Sequence, residues 1–120
     1  MADRSIRIRV LDLLAEIGNI EQMLDGQTLA AYRADVIMKR ATERCLEIIS
    51  EASRHVPDEL QARHPEIPWH KVRAIGNVLR HEYGRVEDDV LWNVVQDQLP
   101  ELKRAMTAIL AELPEETDET

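Results

Sequence analysis

The sequence predicts an all-α domain, on three observations. Apolar residues recur with a period of 3.6 over long stretches, the signature of amphipathic helices. No stretch alternates apolar and polar residues with the period of 2 that a half-buried strand requires. Only four glycines and five prolines punctuate 120 residues, so the helices are long and the turns few. A chain of this length makes one domain with a modest core. Phe is absent, so that core is built from Leu, Ile, Val, Ala and Met. The expected architecture is an up-down bundle of about five helices over residues 1–113, followed by an acidic disordered tail over residues 114–120.

The first helix is expected from Ser5 to Leu24, with Val10, Leu13, Leu14, Ile17, Ile20 and Leu24 as its apolar stripe. Asp25-Gly26 ends it, with Gly26 as a C-terminal cap residue. The second begins at Thr28, a suitable N-cap, and runs to about Val56, where Pro57 closes it. That span exceeds an average helix, and a kink or break is expected near Ala34-Asp35. Val36, Ile37, Leu46, Ile48, Ile49, Ala52 and Val56 supply its apolar positions.

Asp58 to Ala62 fits one short turn, and His64-Pro65-Glu66-Ile67-Pro68 is the most loop-like stretch, since each proline disfavours helix at the residue before it. A third long helix starts at Pro68 or Trp69 and ends at Gly84. Another runs from Glu87 to Gln98, with acidic residues in its first turn as the helix dipole favours. Pro100 opens a last helix that reaches about Leu113. Beyond it Glu115, Glu116, Asp118 and Glu119 make a solvated tail.

Composition narrows the function. A net charge of -8 argues against general nucleic-acid binding. Charge is uneven, however. Lys71, Arg73, Arg80 and Arg85 make the third long helix and its exit basic, opposed only by Glu82, which suits contact with a few phosphates. The single cysteine, Cys45, excludes an intramolecular disulfide and a multi-cysteine metal site, and reads as a small buried hydrophobe. His55, His64 and His70 lack metal-ligand spacing and read as surface or loop residues. Glu47 and Glu51 suit pairing with Arg better than a metal. Trp69 and Trp92 read as packing anchors. No metal or cofactor is expected. With no leader-like apolar run near the N-terminus and no window that approaches a membrane span, a cytoplasmic protein is expected.

The chemistry concentrates in the third long helix. At 100° per residue, Val72, Ile75, Leu79 and Tyr83 fall on one packing stripe. Arg73, Asn77, Arg80 and His81 fall within one arc on the other side. Arg offers planar, charged donors that match phosphate oxygens. His gives and takes protons near neutral pH. Two guanidiniums, a carboxamide and an imidazole together make a grouping suited to a phosphodiester. Other readings stand beside this one: Arg73 and Arg80 as ordinary surface ion pairs, His81 as a solvent-facing helix histidine, Asn77 as a polar residue on a wet face, and Tyr83 as a half-buried core tyrosine.

Four pieces of sequence resemble the HEPN superfamily, and within it the HepT-like ribonuclease toxins. They are Leu46-Glu47-Ile48-Ile49-Ser50-Glu51-Ala52, then Gly76-Asn77-Val78-Leu79-Arg80-His81-Glu82-Tyr83 preceded by Trp69, then Val86-Glu87-Asp88-Asp89-Val90-Leu91-Trp92, then Leu99-Pro100-Glu101-Leu102. The resemblance spans about Ile6 to Leu113. The family pattern is Arg, a polar residue, a short apolar spacer, then His, one residue and Tyr. His81, Tyr83 and Asn77 match it, while Gly76 occupies the Arg position. Arg73 lies one turn before, and Arg80 beside the His.

The resemblance implies a dimerising, HEPN-like bundle and the toxin component of a type VII-like toxin–antitoxin pair. It implies a metal-independent endoribonuclease that cleaves RNA through the substrate's 2′-OH, with His81, Arg80, Arg73 and Asn77 as site residues. Its partners would be a second copy, RNA, and a minimal nucleotidyltransferase antitoxin that adenylylates Tyr83. The departure at Gly76 leaves three alternatives: a noncatalytic HEPN module that binds RNA or a nucleotide, a protein whose main task is to bind the nucleotidyltransferase, and a dimerisation protein without a ligand.

Overall fold

The structure is a computed structural model that describes residues 2–82 and 88–114, with side chains described for 5–79 and 88–114. Its elements are α1 (Ala2–Leu24), α2 (Leu29–Ala34), α3 (Val36–Ser53), α4 (Asp58–Gln61), α5 (Trp69–Glu82), α6 (Asp88–Asn93), a π-helical turn (Val94–Gln98) and α7 (Leu99–Glu112). No strand occurs among the described residues. None of their helices is long and apolar enough to cross a membrane.

The expected stripe of α1 faces inward: Val10, Leu13, Ile17, Ile20 and Leu24 are buried, and Leu14 is partly buried against them. The helix itself begins at Ala2, three residues ahead of the expected start. Gly26 takes a left-handed φ of 73°, the conformation a C-terminal cap requires and one that L side chains resist.

The expected break after Ala34 is present, and its chemistry is local. Thr28 Oγ1 accepts from the Ala31 N–H at 3.1 Å and caps α2. Asp35 Oδ1 accepts from the Met38 N–H at 3.0 Å and caps α3. The reading of Val36 and Ile37 as core positions is corrected by this break: they open α3 and are 55% and 78% exposed. Farther along α3, Leu46, Ile49 and Ala52 are buried. The helix ends at Ser53, and Val56 is buried from the turn that follows. Cys45 is half-buried rather than fully enclosed. Burial first, and then the hydrogen-bonded Glu16 carboxylate, push its thiol up to about 11.

Helix α3 is the middle of the bundle. It packs against α1 on one side and α5 on the other, while α7 closes over α1. The stretch Glu87–Leu113 departs from the expected pair of separate helices. A π-helical turn links α6 to α7, and the Leu99 N–H bonds the Val94 carbonyl five residues back. Pro100 at the start of α7 explains the change of pitch. It has no N–H to donate, and its ring crowds the carbonyl four residues back, so the regular ladder cannot continue. Leu91, Val95, Leu99 and Leu102 are all buried across this turn. Residues 115–120, which hold most of the expected acidic tail, lie outside the described residues.

Candidate active site

The third long helix is α5, and its start is set by Trp69. The indole Nε1 donates to the carbonyls of Gln61 and His64, both at 3.0 Å, and ties the loop between them to the helix. Trp69 and Val72 are buried, and Ile75 and Leu79 pack against the core. The packing face is therefore the one the sequence stripe implies. Asn77 is exposed to solvent on the other face. The backbone of Arg80 and His81 continues α5, one turn beyond Asn77, while their side chains lie outside the described ones. Tyr83 and Arg85 lie outside the described residues altogether, so adenylylation of Tyr83 concerns a position with no described surroundings.

Arg73 is placed differently from the rest of its arc. Its Nη1 donates to Gln61 Oε1 at 2.7 Å. Gln61 is buried and held in turn, because its Nε2 donates to the carbonyls of Ser53 (3.2 Å) and Val56 (3.0 Å). This guanidinium reaches towards α4 at the N-terminal end of α5. His81 is eight residues farther along, about 12 Å on the helix axis.

A second set of bonds fixes α5 against α3. Ser50 Oγ donates to the Arg73 carbonyl at 2.7 Å and accepts from the Gly76 N–H at 3.1 Å. Arg54 Nη2 also donates to the Arg73 carbonyl, at 3.2 Å. Gly76, which stands where the resemblance expects Arg, is buried at this contact.

Among the described residues no group of His, Cys, Asp and Glu is arranged to hold a metal ion. Glu47 approaches Arg44 on α3, and Glu51 approaches both Arg54 and His55 just past its end. His55 and His70 are exposed, while His64 is half-buried between Glu66 and Glu112. Trp92 stacks at a tilt on Tyr32, with ring centroids 5.6 Å apart, and so serves the packing role expected of it.

The family model described as "Ribonuclease HepT-like" matches residues 13–109, most of the chain. This chain belongs to the HepT-like ribonuclease family. A protein of Thermococcus cleftensis named "Probable ribonuclease HepT" is 33% identical over 96 residues, covering 77% of this chain and 87% of that relative. A "Putative RNase" of Caldanaerobacter subterraneus subsp. tengcongensis is 30% identical over 98 residues, covering 82% and 88%. A protein of the same designation from Methanocaldococcus jannaschii is 24% identical over 109 residues, covering 91% and 100%. No solved structure gives a significant match.

The HepT-like match spans the whole of α3 and α5, and with them two residues that the sequence did not single out as functional. Ser50 sits within a matching piece but carries no signal of its own, since a lone serine in a helix reads as neutral. Gln61 follows a proline-opened turn and resembles any surface glutamine. What reveals it is burial together with four fixed polar neighbours, and these come from three separate segments.

Proposed function

We propose that this HepT-like protein is a metal-independent endoribonuclease, active as a two-fold dimer, and the toxin of a toxin–antitoxin pair. The observation that carries the reading is Asn77: it stands in solvent one turn before His81 on a helix whose opposite face is locked into the core. The chemistry belongs to the substrate and to a few side chains. The RNA 2′-oxygen attacks the adjacent phosphorus as His81 takes its proton. The bond from phosphorus to the 5′-oxygen breaks, and an imidazolium returns a proton to that leaving oxygen. The products are a 2′,3′-cyclic phosphate and a 5′-hydroxyl. Arg80 neutralises the charge that builds on the phosphorane, and Asn77 holds a non-bridging oxygen or the imidazole.

One histidine cannot be acid and base at once. A second copy supplies the other, with its motif helix facing the first across a shared cleft. Next to Asn77 lies an apolar patch suited to that contact. Val78 on α5 and Val90 on α6 are 42% and 52% exposed, and they frame a groove floored by Ile75, Leu79, Leu91 and Val94.

In the pair, a minimal nucleotidyltransferase neutralises the toxin by adenylylating Tyr83. The phenol oxygen attacks the α-phosphorus of ATP, pyrophosphate leaves, and the attached AMP places bulk and negative charge two residues from His81.

Purified protein is expected to cut single-stranded RNA in EDTA and leave 2′,3′-cyclic phosphate ends, and to spare the same oligonucleotide with a 2′-deoxyribose at the cut site. Expression without the partner is expected to stop growth, and His81→Ala to relieve the arrest. One observation favours a second reading, that of a noncatalytic RNA-binding module: Gly76 fills the motif Arg position and its backbone is spent on Ser50. On that reading His81→Ala leaves RNA affinity intact and no cleavage is seen with either protein.

A further inference from the structure

The bonds around Arg73 mark a second place on the molecule. Between α4 and the start of α5 lies an open concavity of about 440 Å³, lined by Asp58, Gln61, Trp69, His70 and Arg73 among others. Its cation is held by an uncharged partner. The buried Gln61 amide is locked by two backbone carbonyls and presents its oxygen to Arg73 Nη1 at 2.7 Å. No carboxylate lies within ion-pair distance of Arg73 among the described residues, although the chain carries a net charge of -8. Arg54, which donates to the Arg73 carbonyl, is itself near Glu51 at 3.7 Å. The guanidinium of Arg73 is thus oriented in advance by a neutral acceptor and retains donors beyond the one Gln61 occupies.

Orientation by a neutral acceptor, without neutralisation, is what an oxyanion site needs. Asp58 also lines the concavity and Glu51 lies beside Arg54, so Arg73 is a single cation here and not part of a basic track. The position also has a register. The backbone positions of His70, Arg73 and Asn77 follow one another at three- and four-residue steps along α5, although the Arg73 guanidinium itself turns away to Gln61.

We propose that Arg73, held by Gln61, binds a phosphate of the RNA strand other than the scissile one, so that this concavity is a subsite that sets where the strand is cut. The inference rests on RNA being the ligand. It removes Arg73 from the cleavage chemistry, about 12 Å away along α5, and leaves Arg80 as the guanidinium beside the reacting phosphate. Phosphate contacts of this kind position a strand without reading its bases.

The test uses single-stranded RNA oligonucleotides with 2′-O-methyl riboses, which cannot be cut, and a neutral methylphosphonate moved one linkage at a time. Binding is read by fluorescence anisotropy. Wild-type protein is expected to show two sensitive linkages, the cleaved one and one other, each with a loss of about tenfold. In Arg73→Gln the second loss disappears, and the slope of log affinity against log salt falls by about 0.7. A wild type with no second sensitive linkage overturns the subsite, as does a second loss that persists unchanged in the variant. The wild-type scan decides even if the variant fails to fold. Cleavage of unmodified RNA is scored separately. Two sensitive linkages without cleavage overturn the ribonuclease reading and keep the subsite, whereas a wild type that binds no RNA overturns both.

Discussion

The Ser50 hydroxyl crosses from α3 to α5 and donates to the Arg73 carbonyl at 2.7 Å. The same oxygen accepts from the Gly76 N–H, so one buried side chain joins two backbone groups a turn apart. Ser50→Ala removes both bonds and leaves the helix faces otherwise matched. The expected loss is about 1 kcal/mol, since the Arg73 carbonyl keeps its bond from Arg54 while the Gly76 N–H is buried. Urea unfolding of the variant should show a lower midpoint at an unchanged slope, which separates lost stability from altered compactness.

Tyr32 presents the opposite case. Its side chain is fully buried against Trp92, and its hydroxyl has no hydrogen-bond partner among the described residues. Burial, and then the Glu43 and Asp88 carboxylates, push the phenol up to about 12 from an ordinary 10. A phenol that ionises more easily unfolded than folded favours unfolding at high pH. Its contribution is therefore intact below pH 10 and lost as pH rises through about 12. Tyr32→Phe deletes an unsatisfied hydroxyl and should be neutral or stabilising at pH 7. The variant's advantage should widen between pH 10 and 12, a difference that thermal melts of the two proteins across that range measure directly.

Asn77 is exposed, so its removal should cost under about 0.5 kcal/mol of stability. Under the proposed function it touches a phosphate oxygen or the imidazole. Asn77→Ala should lower kcat/KM for RNA by about 10–100-fold, the loss of one well-placed hydrogen bond in a transition state. Asn77→Asp should lower it more, because the new carboxylate faces the anionic phosphorane. Single-turnover cleavage rates at matched protein stability check both. Equal rates for all three proteins would remove Asn77 from the site.

The sequence carried the bundle because its signals are local. The stripe from Val10 to Leu24, the cap at Thr28, the break before Val36 and the left-handed Gly26 each rest on neighbours a few residues apart. What escaped depends on distance in the chain or on competition between rules. The same break that the sequence marks also carries Val36 and Ile37 out of the core, which periodicity alone does not show. The π-helical turn arises from Pro100 acting on a helix that the hydrophobic pattern prefers to continue. In the site, the arc of Arg73, Asn77, Arg80 and His81 follows from helical spacing, but the departure of Arg73 from it is decided by Gln61, twelve residues away and in another element. No periodicity holds that information.

Val78 offers the most direct check on the assembly. Together with Val90 it exposes an apolar surface beside Asn77, and a two-fold contact there would bury each valine twice per dimer. Full burial of a valine is worth about 1.5–3 kcal/mol, and a carboxylate brought to the same place adds a desolvation cost and a like-charge clash with its own copy. Val78→Glu should therefore weaken self-association by at least about a hundredfold, a change that sedimentation velocity over a range of concentrations detects. Since the residue is already solvent-facing in one chain, the far-UV circular dichroism and the unfolding midpoint of the separated chains should stay close to native. Cleavage should fall with the loss of dimer rather than with any loss of fold, because the proposed acid and base come from different copies. A Val78→Glu protein that remains dimeric would place the two-fold contact on another face, and a monomer that still cuts RNA at the native rate would remove the need for a second His81.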